Sequence, residues 1–167
     1  MIYALRTNIH RWQHPKLERL DVLFDTMNVS LIDMQWNKYK LVEDDLHFTL
    51  HSFKLFCEDL ALSTQWAPTL VIYADSTIDY WNYNMKEKYT NLANKYIAST
   101  FKKLGVHAII SAVNGSGFVC HPNFMSRCMK TNSSNTDYLF IGGWNDITFS
   151  WKRIETSCRD TLLHHSE

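Results

Sequence analysis

The chain has 167 residues, 46% hydrophobic and 20% charged, with Lys+Arg and Asp+Glu both at 17 and a formal net charge of zero. That length and balance fit a single domain over residues 1–167, able to bury roughly 70% of its unfolded surface, and argue against a disordered chain. No basic block supplies the electrostatic footprint of a nucleic-acid binder, and no apolar run approaches the ~20 residues of a membrane span.

The opening Met1-Ile2-Tyr3-Ala4-Leu5-Arg6 lacks the apolar stretch of a secretion signal. Cysteines 57, 120, 128 and 158 show no compact paired spacing. Free thiols in a reducing compartment, and hence a cytoplasmic protein, are the expectation.

Short apolar segments alternate with amphipathic ones along the chain. Residues 2–5 read as a strand. Residues 15–27 read as a helix, with Leu17, Leu20, Leu23 or Phe24, and Met27 at helical spacing. A second strand over 29–34 leads into a polar, aromatic loop that reaches Asp45. Leu50, Phe53, Phe56 or Cys57, and Leu60 define a second helix over 49–62. Residues 63–69, closed by Pro68, form a connector, and 70–74 are the third strand. A long helical pattern over 84–104 stops at Gly105. Residues 106–113 are nearly all apolar, as a central parallel strand should be. A short helix is expected near 123–130, a fifth strand at 137–141 and a last helix at 151–163. His164 and His165 fall in a tail expected to fray. The predicted architecture is α/β: a parallel five-stranded sheet covered on both faces.

Chemistry in such sheets gathers at the carboxyl ends of the strands. Three phrases follow strands directly: Ala74-Asp75-Ser76, Asn114-Gly115-Ser116-Gly117 and Gly142-Gly143-Trp144-Asn145-Asp146. Asp44-Asp45-Leu46-His47 follows another strand after a longer loop. Alone, each is an ordinary turn or helix cap. Together they offer a serine, a histidine to take its proton and an aspartate to orient that ring. Asp44 suits the orienting role by its spacing, with Asp45 as the alternative.

These phrases resemble the blocks of the SGNH (GDSL-like) hydrolases. The resemblance implies a three-layer α/β/α sandwich of flavodoxin-like type, with Ser76 as nucleophile, His47 as base and Asp44 as its orienter. It also implies an oxyanion hole formed by the N–H groups of Ser76 and Gly117 and the amide of Asn145, with Gly115 as the second candidate glycine. No cofactor or metal is implied, and the substrate would be a small acyl ester of acetyl, lipid or thioester kind. The blocks occur out of family order. Read from residue 69 to 167 and then 1 to 63, the chain restores that order, which describes a circular permutant whose ancestral termini are bridged by 63–69. Domain termini often lie close together at the surface, so the rearrangement is physically permissible. Ala74 stands where the family has glycine, so the turn must keep ordinary backbone angles. A member that has lost turnover and serves as a binding or scaffold protein is the alternative.

Trp81, Tyr80, Trp144 and Phe118 lie near the expected site and could line its pocket or cover the sheet end. His10 and His14 have metal-like spacing, but Pro15 breaks a shared helix there. Cys120, His121 and Cys128 lack a convincing fourth ligand for zinc.

Overall fold

A computed structural model describes residues 1–6, 13–83, 90–128 and 135–166. Five strands, β1 (Ile2–Leu5), β2 (Ser30–Ile32), β3 (Thr69–Ala74), β4 (His107–Ala112) and β5 (Thr136–Ile141), form one sheet in the order β2-β1-β5-β3-β4. All pairings are parallel. The helices are α1 (Pro15–Thr26), α2 (Leu50–Leu62), α3 (Ser76–Asp79), α4 (Leu92–Lys102) and α5 (Trp151–Ser166).

The helix starts follow from local chemistry. Pro15 opens α1, where its missing N–H is no loss, and the His14 ring accepts the Lys16 N–H. Thr49 caps α2 by accepting the Ser52 N–H. On α4, Ala93, Ile97 and Phe101 recur every fourth residue and are fully buried.

Strand alternation then sorts side chains into two cores. Leu70, Ile72 and Ala74 of β3 face Phe53, Phe56 and Leu60 of α2 and Ile97 and Phe101 of α4. Val71 and Tyr73 face the other way, toward Leu20 and Phe24 of α1 and Ile154, Cys158 and Leu162 of α5. This is a three-layer α/β/α sandwich. Numbering β3, β4, β5, β1 and β2 as first to fifth gives the order 2-1-3-4-5 from the β4 edge, the flavodoxin-like arrangement. Its order reverses between β3 and β5, so ligands are expected above the ends of these two strands. The 63–69 connector is tied down: Trp66 is buried against Tyr3 and Phe101, and the Ala67 N–H donates to Asp137.

Three expectations change. The long helical pattern is helix only over Leu92–Lys102, with 84–89 outside the described residues, and a separate turn, α3, starts at Ser76. The short helix near 123–130 is a single 3-10 turn, Met125–Arg127, with 129 and 130 outside the described residues. His165 is not in a frayed tail. It is buried within α5, its Nδ1 2.7 Å from the Thr161 carbonyl and its Nε2 3.0 Å from the Tyr73 hydroxyl. The aromatic edges of Tyr73, Tyr138 and Phe140 around it explain why the helix continues.

Candidate active site

The end of β3 delivers Ser76. Ala74 still belongs to the ladder, opposite Ala112 and Ile141, and has no positive φ, so a methyl group is tolerated where the resemblance expects glycine. Asp75 then leaves the sheet and caps α3, its carboxylate accepting the Thr77 N–H at 2.8 Å. Ser76 is therefore the first residue of a helical turn, half-buried, with no intrahelical partner for its N–H.

His47 arrives on a different element. An antiparallel bridge pairs Leu41 with Phe48, and the Val42 N–H donates to the His47 carbonyl at 2.8 Å. Asp45, at φ 56, lies in the turn of this small hairpin. Asp44 wraps around the ring it orients: Oδ1 accepts the N–H groups of Leu46 and His47 at 2.8 and 3.0 Å, and Oδ2 lies 2.6 Å from His47 Nδ1. Partial burial works to raise the Asp44 pKa, but the ring and the two N–H groups outweigh it and hold the carboxyl below its ordinary range. An ionised carboxylate can only accept, so Nδ1 carries the ring proton and Nε2 is left as the basic nitrogen.

Both residues open onto one cavity of about 600 Å³, with Asp75, Gly115, Trp144 and Asn145 also in its wall. No hydrogen bond joins Ser76 Oγ to the His47 ring among the described residues. Unliganded sites often hold such pairs beyond hydrogen-bond length until substrate tightens them.

The glycine assignment changes. Gly117 is buried outside that cavity and its N–H donates to the Cys120 carbonyl at 3.2 Å, so it is not placed to bind an oxyanion. A Cβ at Gly117 would collide with the Asp146 carboxylate, which is the physical reason for glycine there. Gly115 lines the cavity at φ 72, and its N–H has no acceptor among the described residues. Asn145 also lines the cavity, its amide held at 2.9 Å from the Ser116 carbonyl and 3.4 Å from Asp75 Oδ2.

Four supporting residues escaped sequence reasoning. Asp146 is fully buried and accepts the N–H groups of Phe118, Val119 and Cys120 at 2.7, 3.0 and 2.9 Å, which ties the loop after β4 to the turn after β5. Asp79 accepts the Asn114 N–H at 2.8 Å, pinning that loop to α3. Arg127 donates to the Ser111 carbonyl and Ser116 Oγ at 2.7 and 2.8 Å. Asp75 is entirely buried; burial, partly offset by Thr77 and reinforced by Asp146, pushes its carboxyl up to about 6. The Asn-Asp ending of the glycine-rich phrase was the one available signal for Asp146.

Of the aromatic residues near the site, Tyr80 and Trp144 line the cavity. Phe118 instead fills the core on the far face of the sheet, and the Trp81 N–H donates to the Phe48 carbonyl while its ring packs on the near core. His51 is exposed on α2; His10 lies outside the described residues. Among the described residues no cluster of His, Cys, Asp or Glu could hold a metal ion, and Cys120 instead donates to the Asn145 carbonyl at 2.9 Å. No helix there is long and apolar enough to cross a membrane. No family model, curated protein or solved structure matches the chain.

Proposed function

We propose that the chain is a serine esterase of the SGNH type in circularly permuted order. The observation that carries this reading is one cavity shared by Ser76, an Asp44-oriented His47 and Asn145, at the switch point of a flavodoxin-like sheet. The resemblance drawn from the sequence supports it independently.

In the first half-reaction Ser76 Oγ attacks the ester carbonyl as its proton passes to His47 Nε2. The carbonyl π electrons move to oxygen, and the resulting oxyanion is met by the N–H groups of Ser76 and Gly115 and the Asn145 amide. Collapse breaks the C–O bond, and His47 returns the proton to the departing alcohol. Water then attacks the acyl-Ser76 ester, with His47 again taking and returning a proton, and the carboxylic acid leaves. Asp44 stays ionised throughout and favours the imidazolium that forms beside it.

Hydrolysis of p-nitrophenyl butyrate tests the reading. Wild type turns over, Ser76→Ala and His47→Ala do not, and Asn145→Ala loses on the order of 10²–10³ in kcat. Wild-type protein that is folded and inactive on activated esters would leave a binding or scaffold protein.

A further inference from the structure

The hairpin that brings His47 also brings a hydrocarbon wall. Trp36, Leu41, Leu46 and Phe48 line the cavity from that connection, Tyr80 comes from the turn that holds Ser76, and Trp144 precedes Asn145. Apolar surface therefore approaches the reacting atoms from the segments that supply His47, Ser76 and Asn145. The polar groups in the wall are largely engaged elsewhere. The Tyr39 hydroxyl donates to Asp59 at 2.7 Å, and Asp75 accepts from Thr77. Among the described residues no lysine or arginine lines the cavity, so an anionic substrate meets no countercharge.

The cavity volume of about 600 Å³ matches a medium-sized ligand rather than an acetyl group. At about 30 Å³ per water-sized group, an acetyl would leave most of it filled by solvent against aromatic rings. The acyl group also stays attached to Ser76 through both half-reactions, whereas the alcohol departs after the first. The walls around Ser76 therefore act longest on the acyl chain.

We infer that the site selects neutral esters carrying a medium-length apolar acyl chain, on the order of six to ten carbons, over acetyl esters and over chains that end in an anion. This rests on the esterase reading, and it is tested so that the two can fail separately. Each buried methylene is worth about fourfold in affinity, which sets an upper bound, and solvent left in the cavity reduces it. The kcat/KM for p-nitrophenyl octanoate is expected to exceed that for p-nitrophenyl acetate at least tenfold. The mono-p-nitrophenyl ester of suberic acid, of equal length with a terminal carboxylate, should fall back to the acetate level. Leu46→Glu, at the exposed rim, should shrink the octanoate-to-acetate ratio severalfold. Binding of the uncleavable ketone 2-nonanone, read by tryptophan fluorescence against acetone, gives a second measure independent of turnover.

Turnover with acetate equal to or better than octanoate overturns the chain preference and leaves the esterase reading standing. Absence of turnover with tight 2-nonanone binding overturns the esterase and keeps the apolar site. Failure of both turnover and ketone binding removes both.

Discussion

The His47 imidazole lies flat on the Tyr80 ring, their centroids 4.2 Å apart and their planes within 9°. Tyr80 stands one helical turn beyond Ser76, so this stack couples the proposed base to the element that carries the proposed nucleophile. Asp44 fixes one edge of the imidazole and Tyr80 fixes its face. Tyr80→Phe keeps the stacking surface and should keep activity. Tyr80→Ala should lower kcat by about twofold to tenfold, the kinetic equivalent of a ring pair worth ~0.5–1.5 kcal/mol. Equal rates in the two variants would show that the stack does not position the base.

Gly117 and Gly115 should respond to alanine in different ways. Gly117→Ala drives a methyl group into an Asp146 carboxylate that three backbone N–H groups hold in place. Overpacking of that kind destabilises by ~1–3 kcal/mol, read as a shift in the urea midpoint. At Gly115 a Cβ meets nothing within 4 Å, but φ is +72, where an L side chain is strained. Gly115→Ala should therefore cost about 1 kcal/mol of stability and also depress kcat by displacing an oxyanion donor. A Gly115→Ala variant with full activity would remove that N–H from the mechanism.

Asp75 sets a pH dependence of known sign. Its folded pKa of about 6 lies above the ordinary unfolded value near 3.9. Between these values the folded protein retains a proton that the unfolded chain has released. The group's contribution to stability is therefore full below about pH 4 and is lost as pH rises through about 6. From pH 5 to 7.5 it should remove about 1.4 kcal/mol, and this component should vanish in Asp75→Asn. Urea unfolding at the two pH values measures it; identical pH dependence in variant and wild type would refute it.

Arg127 is placed to hold the proposed site in position. Its guanidinium reaches the Ser111 and Ala74 carbonyls and Ser116 Oγ at 2.7, 3.4 and 2.8 Å, joining the ends of β3 and β4 to the loop that anchors Asn145. Burial lowers its pKa, and no carboxylate lies within ion-pair distance among the described residues, so its hydrogen bonds go to the fold itself. Arg127→Met should reduce kcat about tenfold or more with KM little changed, while Arg127→Lys should recover part of the loss. Matched losses in kcat and in the folded fraction alone would assign Arg127 a purely structural role.

Much of this arrangement was legible in the chain. The continuous apolar run of β3 and the Ala93, Ile97, Phe101 stripe follow local rules that sequence displays directly. Ser76, His47 and Asn145 each sit at a strand end or a turn that the sequence marks, and all three line one cavity. Gly117 was misjudged because its neighbour is a carboxylate far along the chain, and no periodicity announces such a contact. His165 was misjudged for a similar reason: its partner Tyr73 is on the central strand, and terminal position alone suggested fraying. The Tyr80 stack on His47 depends on two elements meeting across the sheet end, which only the assembled fold reveals.

The most direct measurement is covalent labelling by a fluorophosphonate, with the modified peptide mapped by mass spectrometry. A single adduct on Ser76 is expected, slowed strongly in His47→Ala and absent from Ser76→Ala. Labelling of intact, folded protein at another residue, or undiminished labelling of Ser76→Ala, would show that this hydroxyl is not the nucleophile.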